Sequence, residues 1–173
     1  MKCFELIEEH SIREKRIFVW AGAIALLLLI ADQWSKWFFV RNFRLGESLA
    51  LIPGWLNFTY VHNLGAAWSI FSGQVLMLLI FGIAAAVAII IFFRKLAEKC
   101  PERYFALLMI LSGIAGNCFD RAFHGAVVDF IHVHYYNIWH YPVFNVADMA
   151  ICTGVGIFLL SSFLRKSPEK EKK

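Results

Sequence analysis

The sequence predicts an all-α membrane protein with four transmembrane helices, a small extracytoplasmic β element and an interfacial helix or loop. Hydrophobic residues make up 60% of the 173-residue chain and the mean hydropathy is +0.61, both outside the range of soluble proteins. The excess lies in four apolar stretches, at about residues 17–40, 75–93, 104–119 and 143–164. A helix of about 20 residues crosses a ~30 Å hydrocarbon core. Each stretch can therefore span a membrane, although the third is short unless it extends through residues 117–121.

Basic residues predict the orientation of these helices. Thirteen of the 17 Lys and Arg residues lie before the first stretch, between the second and third, or after the fourth. Because cytoplasmic loops carry an excess of Lys and Arg, we expect both termini in the cytoplasm.

The chain is then one membrane domain, residues 1–173. Its outlying parts are a cytoplasmic N-terminal segment (residues 1–16) and an extracytoplasmic β-rich insertion (41–73). They also include an extracytoplasmic interfacial segment (131–141) and a cytoplasmic tail (165–173). We expect residues 1–16 to form a short interfacial helix or a frayed tail.

Composition excludes several other classes. The net charge of +4 is explained by topology, and no basic run interleaved with aromatic residues indicates nucleic acid. The first apolar stretch is longer than the core of a secretory signal peptide and lacks a small-residue cleavage site after it, which favours an uncleaved anchor. The four cysteines show no paired spacing. We therefore expect no disulfide framework, no metal site and no cofactor.

The two extracytoplasmic segments have distinct patterns. Pro53-Gly54 is a turn signal, and residues 55–61 alternate in aromatic and β-branched side chains, which favours a strand. A small sheet resting on the bilayer fits this pattern. Residues 131–141 are rich in Tyr, Trp and His, a composition that suits an interfacial helix or loop.

All four aspartates lie at the ends of the apolar stretches, whereas eight of the nine glutamates lie in the charged tails and one basic loop. Ionisable side chains at membrane depth are costly and mark functional sites by default. Asp32 and Lys36 are four residues apart, on one helical face, and can pair; a structural ion pair is the favoured interpretation. Asp120, beside Arg121, is expected in a hydrogen-bonded charge network, with a structural role favoured over a catalytic one.

Asn63-Leu-Gly-Ala-Ala-Trp68 combines an amide with small residues that leave room for a ligand or a neighbouring helix. A binding role and tight packing both fit it.

Asp129 and Asp148 differ from the other two acids because each is set in an apolar run with no cation beside it in sequence. Two carboxyl groups that approach closely in such surroundings share one proton. One then activates a water while the other polarises a carbonyl, as in aspartic proteases. A proton- or ion-coupled transport site also uses buried aspartates, and the residues alone leave both alternatives open.

A resemblance favours the protease. The chain is similar to bacterial lipoprotein signal peptidases (signal peptidase II) in four ordered motifs that span residues 32–148: Asp32-Gln-x-x-Lys36, Asn63-x-Gly-Ala-Ala-Trp68, Gly116-Asn-x-x-Asp-Arg121 with Gly125-x-Val-Val-Asp-Phe-Ile131, and Phe144-Asn-x-Ala-Asp148. It implies an aspartyl endopeptidase of the bacterial inner membrane, with its active site near the outer face. The implied substrates are prolipoproteins, cut just before a cysteine that carries a diacylglyceryl group.

The resemblance also implies roles for individual residues. Asp129 and Asp148 would be the catalytic pair. Four residues, Asn63, Asn117, Arg121 and Asn145, would line the pocket and hold the substrate backbone or the neighbouring carboxyl, while Asp32, Lys36 and Asp120 would be structural. The lipid chains of a substrate held in the bilayer would bring its scissile bond to the depth of the pair.

Three residues depart from the family pattern or lie at its variable positions, and two alternative site chemistries also arise. Trp68 stands where the family often has Phe, and Cys118 and His124 occupy variable positions. A thiol mechanism through Cys118 is disfavoured because no histidine is placed by motif to activate it. His132, His134 and His140 have spacing that allows metal binding, but no carboxylate or Cys is grouped with them, which favours packing at the interface.

Overall fold

The computed structural model describes residues 2–66, 68, 70–136 and 138–165, with the backbone alone for residues 2–11. Over this part of the chain the elements are α1 (Lys2–Asn42), β1 (Ser48–Ile52), β2 (Leu56–Asn63), α2 (Val75–Ala97), α3 (Pro101–His124), β3 (Val127–Tyr135), β4 (Trp139–His140) and α4 (Val146–Leu164). Residues 166–173, most of the predicted tail, lie outside the described residues.

The prediction of four membrane-spanning helices is confirmed for the described residues, where four helices are long and apolar enough to cross a bilayer. The short third stretch is part of a 24-residue helix that runs to His124, so it does extend through residues 117–121. Residues 2–16 do not form a separate helix. They continue α1, whose 41 residues make it about 60 Å long at 1.5 Å per residue.

The segments predicted to be extracytoplasmic form one antiparallel sheet in the order β1-β2-β3-β4. The predicted strand at residues 55–61 is confirmed by β2, and the predicted turn by Gly54, which has a φ of 82°. The helix or loop predicted at residues 131–141 is wrong, because residues 131–135 complete β3 and residues 139–140 form β4. Most residues of β3 are β-branched or aromatic, which suits a paired strand, and β2 pairs with one edge of it. The prediction of a segment at the membrane interface rests on aromatic content alone, which is equally typical of a strand.

Helix α3 is the centre of the bundle and contacts each of the other three helices. At Gly116 a side-chain Cβ would lie 2.5 Å from a carboxylate oxygen of Asp32 on α1. Gly113 allows the same close approach to the backbone of α4 at Ala147. Small residues therefore bring the polar ends of α1, α3 and α4 together, as in other membrane helix interfaces.

An aromatic core fixes the sheet to the end of α1. Phe39 on α1 stacks on Phe130 of β3 with ring centroids 4.3 Å apart, and Tyr60 and Val128 complete the buried cluster. Because side chains alternate along a strand, packing Val128 and Phe130 against α1 turns Asp129, between them, to the other side of β3.

Candidate active site

Four elements bring the predicted site residues together. Asn63 lies at the end of β2, Asn117 in the last turns of α3, Asp129 in β3 and Asp148 in the first turn of α4. In the β2–β3 register Val61 faces Asp129 and Asn63 faces Val127, so Asn63 is the diagonal neighbour of Asp129 on the same face. The residue before Asn145, Phe144, pairs with Ile131 and thereby joins the start of α4 to β3.

Asp129 is buried, with 1% of its surface exposed, and both of its oxygens accept side-chain amide hydrogen bonds. Asn145 donates to Oδ1 at 2.6 Å and Asn63 donates to Oδ2 at 2.9 Å. Burial, followed by the nearby charge of Asp148, raises the pKa of Asp129 to about 7 despite these bonds and the charge of Lys36. Asp129 therefore holds a proton for part of the time at neutral pH.

Asp148 is partly buried and takes part in the N-terminal cap of α4. The Asn145 side chain accepts from the Asp148 backbone N–H at 2.9 Å, and the Asp148 Oδ2 accepts from the Asn145 backbone N–H at 3.1 Å. The remaining carboxylate oxygen, Oδ1, accepts from the Asn117 amide at 2.8 Å. Reciprocal capping of this kind satisfies two backbone N–H groups at the helix end and fixes the carboxylate in place.

The predicted pair of Asp32 and Lys36 is present, with an Nζ–Oδ2 distance of 2.8 Å. Asp120 does belong to a charge network, but its cation is Lys36, at 2.9 Å, rather than its sequence neighbour Arg121. Adjacent residues on a helix face different directions. Arg121 points away from the network and donates to the Gly65 carbonyl at 3.1 Å.

Sequence reasoning missed the residues that complete this network. Gln33 donates to both Asp32 and Asp120. The backbone N–H groups of Ala147 and Val128 also donate to Asp32 and Asp120, at 2.8 and 3.1 Å. The signal for Gln33 was its place in the Asp32-Gln-x-x-Lys36 motif, whereas backbone donors carry no sequence signature.

Asp129 also lines an open cleft of about 530 Å³ between β2, the following loop and the segment before α4. Trp68 and Tyr141 line the same cleft, and their rings meet edge to face with centroids 5.7 Å apart. Trp68 has a φ of 53°, in the left-handed region that a bulky residue rarely adopts. The cleft is large enough for a short peptide segment.

The three histidines stack on one another across β3 and β4. Ring centroids are 5.1 to 5.6 Å apart, and burial, then His134 and His140, lower the pKa of His132. Within the described residues no group of three or more His, Cys, Asp or Glu side chains is arranged to hold a metal ion.

Comparison with known proteins decides the family. The model of the signal peptidase (SPase) II family matches residues 24–164. The chain belongs to the signal peptidase II family. A lipoprotein signal peptidase of Halalkalibacterium halodurans is 38% identical over 150 residues, 87% of this chain and 96% of that protein. One from Geobacillus kaustophilus is 40% identical over 147 residues, 85% of this chain and 95% of that protein.

The fold of this signal peptidase II chain also matches a solved structure. A bacterial membrane enzyme, determined by the in meso method at 2.3 Å resolution, superposes with a TM-score of 0.79 at 33% identity, covering 88% of this chain and 93% of that one. Together with the four apolar helices, the family makes this chain a multi-pass bacterial membrane protease. The motifs that carry the resemblance, residues 32–148, lie within the matched range.

Proposed function

We propose that Asp129 and Asp148 form a catalytic pair that shares one proton and hydrolyses the peptide bond at the end of a signal peptide. Removal of signal peptides from prolipoproteins follows from membership of the signal peptidase II family and from relatives named lipoprotein signal peptidases. The observation that supports the pair is the buried Asp129 carboxyl, whose pKa is about 7 beside the Asp148 carboxylate. Two such groups cannot both be ionised at low cost.

Each carboxyl group accepts one proton and donates one proton during the hydrolysis. The ionised carboxylate accepts a proton from a water, whose oxygen bonds to the carbonyl carbon, while the protonated carboxyl donates to the carbonyl oxygen. The tetrahedral intermediate then collapses. Its C–N bond breaks as the leaving nitrogen takes the proton that the first carboxyl accepted from the water. One hydroxyl of the intermediate returns its proton to the other carboxyl as the C=O bond re-forms, so the pair again holds one proton. The proton belongs to the pair as a unit.

The three asparagines hold the pair in position. Asn63 and Asn145 donate to Asp129, and Asn117 donates to Asp148, so their amide N–H groups are directed at the carboxylates. Arg121 uses one N–H on Gly65, and its guanidinium has five. It is therefore the residue of this group best supplied with donors for the backbone carbonyls of a substrate.

The proposed substrates carry a diacylglyceryl group on the cysteine that follows the cut. Asp148 lies in the first turn of a membrane-spanning helix, so the pair is close to one membrane surface. Acyl chains anchored in the bilayer would hold the scissile bond at this depth, and such orientation is worth several kcal/mol in favourable cases. The basic residues support placing both termini in the cytoplasm and the pair at the outer face.

The experiment compares cleavage of a diacylglyceryl-modified prolipoprotein with that of its unlipidated form by the purified protein in detergent. We expect the wild type to cut only the lipidated form and Asp129→Asn to cut neither. Glu47→Gln is the matched control, because it makes the same acid-to-amide change at an exposed residue next to β1, in the sheet that also contains β3. Equal cleavage by Asp129→Asn and Glu47→Gln would exclude the proposed pair, and equal cleavage of both substrates would exclude the lipid requirement.

A further inference from the structure

Lys36 is buried within 3.0 Å of three acceptors. Its Nζ reaches Asp32 at 2.8 Å, Asp120 at 2.9 Å and the side-chain oxygen of Asn117 at 3.0 Å. An ammonium group has three N–H donors and no acceptor, so all three donors are used. Two of the acceptors are the carboxylates that balance its charge. The third, Asn117, has no charge to neutralise and leads to the catalytic pair.

The contact with Lys36 decides which way the Asn117 amide faces. Only an oxygen can face an ammonium group, so the amide NH₂ group must point the other way, where it donates to Asp148 at 2.8 Å. The Asn145 amide donates to the same Asn117 oxygen at 3.1 Å. Without Lys36 this oxygen would keep only the Asn145 bond.

A positive charge at the amide oxygen also strengthens the amide N–H as a donor, because hydrogen bonds in a chain polarise one another. Lys36 acts on the other member of the pair through space. Its charge lowers the pKa of Asp129, against the larger effects of burial and of Asp148. One cation therefore acts on both carboxyl groups without contacting either of them.

We propose that Lys36 is a positioning residue of the catalytic pair, which orients the Asn117 amide toward Asp148 and sets the pH range in which the pair holds one proton. The inference rests on the proposed function of Asp129 and Asp148. The charged groups that face Lys36 are Asp32 on its own helix and Asp120 on α3, with Asp148 on α4 and Asp129 on β3 beyond the Asn117 amide.

If Lys36 formed only a structural ion pair, its loss would lower stability without changing the pH dependence of activity. Another buried cation on α3 offers a matched control. Arg103, near the other end of α3, is also a buried cation, 5% exposed, bonded to Ser161 and to the carboxylate of Glu98. Loss of either cation should lower the unfolding temperature. Only the loss of Lys36 should change how activity depends on pH.

The test measures kcat/KM for cleavage of the lipidated prolipoprotein from about pH 4 to 9, with unfolding temperatures alongside. Lys36→Met/Asp120→Asn removes the cation together with one of its acids, so that the net charge of the cluster is unchanged. Loss of the Lys36 charge moves both limbs of the pH profile up, since a nearby cation favours the ionised form of a carboxyl, and loss of the Asp120 charge offsets part of this rise. Because Lys36 contacts the Asn117 amide, we expect a net upward movement of both limbs, by less than about one pH unit. Arg103→Met should lose thermal stability with both limbs unmoved, and Lys36→Arg, which keeps the charge, should keep the limbs at a reduced rate.

A second readout does not depend on turnover. The infrared band of the protonated carboxyl, identified by its loss in Asp129→Asn, is titrated in the wild type and in the double variant, and its midpoint should rise by a similar amount. Unmoved limbs and an unmoved midpoint, with a lowered unfolding temperature, would reduce Lys36 to a structural residue. A wild type that cleaves no prolipoprotein would instead count against the proposed function, and the infrared midpoint would still decide the role of Lys36.

Discussion

The two ends of α3 each carry a buried cation, yet their charge balance differs. At the Arg103 end, two cations and two carboxylates pair off, and the partners Glu98 and Arg165 have side chains 63% and 53% exposed. At the Lys36 end one buried ammonium contacts two carboxylates that are each 1% exposed, and two further carboxylates, Asp129 and Asp148, lie beyond them. At the Arg103 end the charges are balanced and two of the partners reach water, so the network only holds the helices together. At the Lys36 end the buried acids outnumber the cation, so one acid must retain a proton. The comparison therefore sets a structural network against the site for which we propose proton transfer.

The largest expected effect is on catalysis by the acids at the Lys36 end. Asp129→Asn and Asp148→Asn should each lower kcat/KM about 10²- to 10⁴-fold, the range for loss of a general acid or base. Because the two residues act as one unit, the double variant should be no slower than the slower single variant. The measurement is single-turnover cleavage.

Glu102→Gln is the control from the other end of α3, where Glu102 pairs with Arg165, and it should keep the wild-type rate. If the fold losses in kcat/KM of the two single variants multiplied in the Asp129→Asn/Asp148→Asn double variant, the two acids would act independently. The acids at the Lys36 end would then not form one unit.

The second effect is on stability. The pKa of Asp129 rises from 3.8 to about 7 on folding, so between these values the folded protein binds a proton that the unfolded chain has lost. The contribution of Asp129 to stability is therefore fully present below pH 3.8 and is lost as the pH rises toward 7, by up to about 1.4 kcal/mol per unit. Unfolding in detergent should show this slope in the wild type, and Asp129→Asn should show a much smaller one. An unchanged slope in the variant would assign the retained proton to another group.

The smallest effect compares two tightly packed glycines. Gly116→Ala places a Cβ 2.5 Å from Asp32 at the Lys36 end, and Gly154→Ala places one 2.6 Å from the Ala106 backbone oxygen, between α3 and α4. Overpacking of this kind costs about 1–3 kcal/mol. Both variants should unfold at lower temperature, but only Gly116→Ala should also lose kcat, because its Cβ disturbs the network around Asp32.

Gly156→Ala is the control for these glycines, since a Cβ there meets nothing within 4 Å. It should match the wild type in both stability and kcat. Equal loss of kcat in Gly116→Ala and Gly154→Ala would mean that helix packing in general, rather than the Lys36 network, supports activity.

Sequence predicted the membrane helices well because hydropathy reports on each residue separately. The second stretch was placed at residues 75–93 and α2 is Val75–Ala97. The pair of Asp32 and Lys36 was also predictable, since both lie on one helix at a spacing of four. Contacts between elements were not predictable from spacing. Adjacency in sequence suggests Arg121 as the partner of Asp120, but helix packing brings Asp120 to Lys36, 84 positions away.

The assignment of residues 131–141 failed for a related reason. Aromatic side chains are typical of both an interfacial helix and a strand, and only the pairing of β3 with β2 distinguishes them. The two roles of Asn145, which caps α4 and bonds to Asp129, likewise follow from the pairing of Phe144 with β3. Sequence indicated that Asp129 and Asp148 are unusual; the fold supplies the amides that connect them.

The pH dependence of kcat/KM for the lipidated prolipoprotein tests the shared proton most directly. A pair that holds one proton gives a bell-shaped profile with two macroscopic limbs, and the alkaline limb should lie near the Asp129 pKa of about 7. A profile that rises to a plateau and stays there through alkaline pH would mean that no protonated carboxyl is needed, and would contradict the account.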